Sequence, residues 1–392
     1  MNLARRLWQH GRDMVPIPGL HFDRPIVLLQ SDDWGRAGLC DRAALEQLRS
    51  AGLVLGERPY DFYTLETAED LDALAATLKR HRDSTGRHPC IQMNFIVSNL
   101  DFGKMRAESF SGIHLMKLSD GLPAGWNRPG LLPAYHKGIA EGVFQPALHG
   151  DTHFCVRAVE RNLSNNTERA NLLRTFWQAG TSYIHWRMPW IGYEYWDPER
   201  EGEERMLSLE EQRDLISPAV GSFAKLFAAL PRSACAPGYR SNFETHRLWA
   251  QHGIRVAQNG PGARVPPYYD QFDMLHLSRN VEFEPATDTA FSVSMSVAHA
   301  EAAFARGIPA IVSLHAINFH STVHDYRSRT LRMLDEFLSR IESKFPGALY
   351  VHDDDLYGLV RHGFFVGPQG KVSVKVTRKY FSKPGLRKRA GR

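Results

Sequence analysis

Two adjacent carboxylates, Asp32 and Asp33, and two imidazoles four residues apart, His149 and His153, are the residues whose types and spacing can do chemistry. Neighbouring carboxylates in an interior repel each other and lose hydration unless positive charge offsets them, and a metal ion is the simplest source of that charge. Histidines at i and i+4 can share one helical face and ligate a single ion. With Asp33 they form a two-histidine, one-carboxylate set, for which zinc is the expected divalent ion. Three protein ligands leave a position open, which separates a catalytic site from a closed structural one. Asp32, beside the ion but not on it, is then placed as the general base for water attacking a carbonyl. Each signal has a plainer reading. An Asp-Asp pair serves as often as a turn or helix cap, and a chain with 18 histidines places some pairs four apart by chance. The case is their combination.

Hydrolysis also needs an acid for the leaving group. Val312-Ser313-Leu314-His315 ends an apolar run on a histidine, which makes His315 the candidate, with His320 and His324 as alternative pocket-lining residues. In Ala236-Pro237-Gly238-Tyr239-Arg240-Ser241-Asn242, a turn before a helix can offer backbone N–H groups to an oxyanion. Tyr239 and Arg240 are the substrate and oxyanion candidates there, with Arg240 expected to hold Asp32 ionised.

These residues must be carried by a framework. Pro25 to Gln30 is a short apolar run of the kind buried on both faces of a parallel sheet, and it delivers Asp32-Asp33 at its C-terminal end. Similar runs recur at 91–97, 145–148, 235–236, 254–257, 310–314 and 349–351. Helical patterns lie between most of them. The clearest starts at the capping box Ser208-Leu209-Glu210-Glu211 and runs toward Leu230, with Pro218 expected to kink or divide it. Others are Phe243 to His252, Val297 to Arg306 and Tyr326 to Phe345, each closed by Gly or Pro-Gly. The alternation predicts an α/β fold, an irregular (β/α)7-type barrel with functional residues on the loops after the strands. Residues 1–365 are expected to form it, with long insertions near 101–142 and 162–205 that shape a substrate cleft.

Composition, with 43% hydrophobic and 23% charged residues, fits a globular core and excludes disorder of the chain as a whole. Cys40, Cys90, Cys155 and Cys235 are too dispersed for a disulfide framework or a zinc ribbon. Residues 371–392 hold nine Lys or Arg and no acid, and without them the net charge of +5 becomes −4. Residues 366–392 therefore read as a basic C-terminal tail suited to an anionic membrane surface, or as a plain solvated terminus. Nucleic acid is disfavoured as a partner because the body has no basic face or motif for it. The start of the chain has no apolar run of a signal peptide, so a cytoplasmic location is expected, peripheral to the inner membrane face if the tail docks there.

The motifs together resemble the polysaccharide deacetylase superfamily, the carbohydrate esterase family 4 type, over roughly Pro25 to Leu356. The resemblance implies an irregular (β/α) barrel, Asp32 as base and Asp33 as metal ligand, and His149 to His153 as the His-Ser/Thr-x-x-His motif. It also implies Leu314-His315 as the motif that supplies the acid, and Tyr239-Arg240 as a counterpart of its arginine and tyrosine motif. The chain departs from the pattern in several places. Gly150 replaces the hydroxyl residue, Ser31 replaces an aromatic, Pro-Gly-Tyr-Arg inverts the usual order, and Asp-x-x-Asp-Trp has no counterpart.

The expected activity is metal-dependent removal of an acetyl group, N-acetyl before O-acetyl, from a carbohydrate, with a lipid- or nucleotide-linked polysaccharide precursor as substrate. One rival is a glycoside hydrolase using two carboxylates about 5 to 9 Å apart, for which Glu194 and Asp197 are available. The other is a non-catalytic glycan- or membrane-binding module.

Overall fold

The computed structural model describes residues 14–184, 187–261 and 265–384. Met1 to Trp8 and the Arg387-Lys388-Arg389 cluster, on which the location and tail expectations drew, lie outside them.

Seven parallel strands form the main row of the sheet among the described residues, and Leu349–Tyr350 pairs parallel with the first of them off that row. We number them β1 (Ile26–Trp34), β2 (Ile91–Phe95), β3 (Phe144–Leu148), β4 (Ser233–Cys235), β5 (Val256–Asn259), β6 and β7 (Ala310–His315). Strand β6 is broken into Leu275–Ser278 and Val281–Glu282. Pairing runs β1 to β2, β3, β4 and β5 in sequence order, and β7 joins β1 from the other side. The first half of β6 pairs with β5 and the second with β7. The two ends of the parallel row are therefore separated by Arg279 and Asn280 alone, and the sheet curls into an irregular (β/α) barrel.

Alternation along β1 sorts its side chains. Val27 and Leu29 pack into the large apolar layer between sheet and helices, whereas Ile26 and Leu28 join a second core with Val256, Leu275, Leu277 and Ile311 inside the barrel. Further along the same inward face come Gln30 and Asp32, so the interior is apolar at its base and polar at the strand ends.

Helices pack around the outside at positions close to those read from sequence, namely Phe243–Gln251, Val293–Ala305 and Arg327–Lys344. Val293–Ala305 begins four residues earlier than expected because Ser292 caps it, accepting from the Met295 N–H. The helix at Ser208 runs unbroken over Leu209–Phe227, with Pro218 inside it. Burial of Ile216, Val220 and Phe223 on its inner face offsets the roughly 3 kcal/mol that an interior proline costs.

The expected boundaries differ in two places. The 101–142 stretch contains Leu131–Ala140, the regular helix between β2 and β3, so the insertion proper is shorter. The segment read as a basic tail from 366 is ordered up to 384. Phe364–Gly367 and Gly370–Ser373 form a hairpin, and Val376–Pro384 pairs antiparallel with Met14–Phe22 along its whole length. Leu20 and Phe22 on that ribbon are buried in the inner core, which is why this part of the chain does not behave as a solvated tail. No helix among the described residues is long and apolar enough to cross a membrane.

Candidate metal and catalytic site

The residues expected to be catalytic or to hold the metal lie at or just after the C-terminal ends of strands, where a (β/α) barrel presents its loops. Asp32 and Asp33 end β1, His149 follows β3, Tyr239 closes a short turn after β4, and His315 ends β7. Adjacent strand residues normally face opposite ways. Here the pairing of β1 with β2 shifts between Ser31 and Trp34, and Asp33 takes a left-handed φ of 73°. That distortion turns both carboxylates into one cleft, lined also by Tyr60, His149, His153, Tyr193, Tyr239 and His315. Its volume of about 190 Å³ is below the 300–1,000 Å³ of pockets that engulf a drug-sized ligand, so it suits one small group of a larger substrate.

The charge argument made from sequence does not hold in its simple form, because each carboxylate has its own buried arginine. Arg36 Nη1 lies 2.9 Å from Asp33 Oδ2, and its guanidinium is seated on the rings of Tyr63 and Tyr183. Arg279 grips Asp32 with both ends, Nη2 to Oδ1 at 2.5 Å and Nη1 to Oδ2 at 2.8 Å. Asn94 and the Tyr239 hydroxyl add hydrogen bonds to Asp32 at 2.6 and 3.0 Å. Burial opposes ionisation of Asp32, but Arg279 and then His149 outweigh it and hold the carboxyl far below its usual range.

What fits a cation is the donor geometry. Asp33 Oδ1 is 2.9 Å from His153 Nε2 and 3.5 Å from His149 Nε2. Yet this buried oxygen receives no hydrogen bond in acceptable geometry. His149 Nδ1 is 2.8 Å from the Cys235 carbonyl and donates to it, so in the neutral ring the lone pair of Nε2 faces Asp33. Lone pairs converging at this distance need a proton or an ion between them. Burial alone would lower the His149 ring, but Asp32 and Asp33 raise it to about 10, whereas burial takes His153 down to about 4. The cluster thus asks for positive charge, and one carboxylate oxygen with two imidazole nitrogens is a donor set that zinc accepts.

Two other groupings fit an ion less well. Asp32, His149 and Cys235 also converge, but Asp32 is saturated by Arg279 and burial pushes the Cys235 thiol up. In the His246, Asp270 and His276 group, Asn259 Nδ2 faces His276 Nδ1 at 3.3 Å, so His276 Nε2–H is left to donate to Asp270 at 3.0 Å.

On the far side of Asp32, His315 Nε2 lies 3.8 Å from Asp32 Oδ2, while its Nδ1 bonds Glu284 Oε1 at 2.7 Å. Asn318 holds the other Glu284 oxygen at 2.7 Å. His320 is buried 3.5 Å from Glu66, and His324 stacks on Phe62; neither lines the cleft.

Arg240 is not where the sequence put it. It does not touch Asp32; its guanidinium lies over Trp196 and Tyr193, with centroid distances of 5.1 and 5.9 Å. Its side chain is exposed, and Arg279 takes the role expected of it. Glu194 and Asp197 do not form a carboxylate pair across a substrate. Asp197 is locked by Arg161 at 2.8 Å and Arg200 at 3.3 Å. Glu194 is buried beneath the histidine loop and accepts the backbone N–H groups of Asp151 and Thr152 at 2.9 and 2.8 Å.

That carboxyl also accounts for Gly150. A Cβ there would stand 2.1 Å from Glu194 Oε2, and φ is +93°, so a hydroxyl residue has no room.

No family model matches the chain, and no curated protein does. Among solved structures it is similar to a candidate polysaccharide deacetylase from Mycobacterium smegmatis, at 11% identity and a TM-score of 0.46, covering 89% of this chain and 95% of that one. A family 4 carbohydrate esterase (CE4) pseudoenzyme from Bacillus anthracis gives 11% and 0.38, covering 86% and 66%. The 4-alpha-glucanotransferase of Thermococcus litoralis gives 11% and 0.45, covering 86% and 40%. Each score is below 0.5, and the chemistry of the site follows from its own geometry.

Proposed function

We propose that the chain is a metal-dependent deacetylase acting on an acetylated carbohydrate, a divergent relative of the polysaccharide deacetylases. The observation that supports this is the convergence of Asp33, His149 and His153 on one point, with Asp32 and His315 facing each other beside it. A divalent ion, zinc by preference, held by those three residues would supply Lewis acidity, polarising an acyl carbonyl and making water more acidic.

The chain's own groups do the rest. Arg279 keeps Asp32 ionised and aims it, so that Asp32 Oδ2 can take a proton from water entering the cleft. The same arginine makes protonated Asp32 short-lived, which favours passing the proton on. His315, tied through Nδ1 to Glu284, presents Nε2 as the nitrogen that delivers a proton to the leaving amine. Tyr193 and Tyr60 wall the cleft on the side where the acyl group would enter. A lipid- or nucleotide-linked precursor as substrate, expected from sequence alone, belongs to the same proposal.

The test is metal content by elemental analysis, with acetate release from N-acetylated sugars. Near-stoichiometric metal and chelator-sensitive release in the wild type, both lost in Asp33→Ala, is the expected result. A metal-free protein that cannot be loaded would sink it.

A further inference from the structure

Arg240 sits at the rim of the cleft with nothing to do for the reaction itself. Its guanidinium is seated on two ring faces, Trp196 and Tyr193, which meet edge to face at 4.7 Å. A cation–π contact of this kind occupies none of the guanidinium's N–H donors with a hydrogen bond and leaves them available to a ligand. Among the described residues Arg240 makes no ion pair, and its side chain is exposed.

Its position is firmly held. Tyr239, the preceding residue, bonds Asp32 through its hydroxyl at 3.0 Å. Gly238 packs so closely on the 192–196 loop that a Cβ would meet the Gly192 carbonyl and the Tyr193 ring, each at 2.5 Å. The loop carrying the aromatic seat and the loop carrying Arg240 are thus pressed together where they border the cleft. Trp196 also supports Arg205, whose guanidinium lies 5.5 Å from its ring. On the floor of the cleft Asp32 and Asp33 are each paired with an arginine, which offsets their repulsion of an anion.

A held guanidinium without a carboxylate partner, beside an acyl-transfer site, is a device for reading negative charge. We infer that Arg240 binds an anionic group, phosphate or carboxylate, on the same sugar whose acetyl group enters the cleft. This rests on the deacetylase reading and narrows its substrate to an acidic sugar. A planar fork on a fixed aromatic seat selects a group with two oxygens in one plane, at little cost in ordering.

Calorimetric binding of three probes tests this: N-acetylglucosamine, its 1-phosphate and N-acetylmuramic acid, with acetate release followed for each. The wild type is expected to bind one or both acidic sugars at least 10-fold more tightly than the neutral one, the difference shrinking as salt is raised. The phosphate and carboxylate arms tell the two anions apart. Arg240→Ala should reduce the preference to less than about 2-fold, and Arg240→Lys should leave it intermediate. Trp196→Leu, which removes the seat but keeps the charge, should also weaken it. Equal binding of all three by the wild type, binding of none, or a preference that survives Arg240→Ala would overturn the inference. An Arg240-dependent preference without acetate release from any sugar would remove the deacetylase reading and leave the anion site standing.

Discussion

His315 Nδ1 lies 2.7 Å from Glu284 Oε1, which fixes Nε2 as the nitrogen that looks across at Asp32. Burial alone would lower the His315 pKa, but Glu284 raises it to about 9 from an ordinary 6.5. The acid form is present below that value, so acetate release should decline as pH rises through about 9. In Glu284→Gln the decline should move down toward 6.5, while His315→Ala should lose about 10²- to 10⁴-fold in kcat. A decline that stays near 9 in the Glu284 variant would show that another group is the acid. The raised pKa also means a stability contribution complete below about 6.5 and lost as pH rises through about 9.

Arg279→Met keeps the length of the side chain and strands a buried charge on Asp32. Breaking such a pair costs about 3–5 kcal/mol, measurable by urea denaturation. Adding Asp32→Asn should restore part of that stability but none of the acetate release, because the base is gone. If the double variant is no more stable than Arg279→Met, the pair is not what holds this end of the barrel.

Metal loading should raise the denaturation midpoint of the wild type and leave Asp33→Ala unmoved. With free zinc at 100 times its dissociation constant, the gain is about 2.7 kcal/mol. Equal gains in both proteins would place the ion elsewhere.

Gly150→Ala puts a methyl group against the Glu194 carboxyl on a backbone at φ +93°. The cost should be about 1–3 kcal/mol. Because His149 and His153 flank the strain, zinc affinity should fall as well. Unchanged affinity with lowered stability would mean that the histidine loop yields without moving its rings.

Removing residues 374–392 takes away the strand that pairs with Met14–Phe22 and uncovers Leu20 and Phe22. Full burial of each is worth about 1.5–3 kcal/mol, so the midpoint should drop while zinc stoichiometry stays the same. A truncated protein as stable as the full chain would return this segment to the status of a tail.

Much of the site was legible because its residues end apolar runs. Asp32 and Asp33 after Leu28-Leu29, His149 after Leu148 and His315 after Leu314 are each announced by the strand before them. The partners were not. Arg279 stands between two short strand halves, Arg36 follows the first motif without a pattern of its own, and Glu284 is joined to His315 only in space. A charged residue directly after Leu275-His276-Leu277-Ser278 was the available signal for Arg279, since charges at barrel strand ends point into the cleft. Arg240 was given the role of Arg279 because it neighbours Tyr239 in sequence, whereas pairing with Asp32 is decided across the barrel. Residues 366–384 read as a tail because their charge count hides Val372, Val374 and Val376, which pack on the inner core, and the pairing of Val376–Pro384 with Met14–Phe22.

The interruption in β6 has a kinetic consequence. One ten-residue stretch from Leu275 to Glu284 hands its pairing from β5 to β7, inserts Arg279 beneath Asp32 and brings Glu284 to His315. A nascent chain that has laid down the first five strands therefore owns Asp33, His149 and His153 but has neither the proposed base, Asp32, nor the proposed acid, His315, in its final setting. Competence should be gained in the same folding phase that stitches this last seam, so the recovery of activity during refolding would serve as a clock for when the ring is finished.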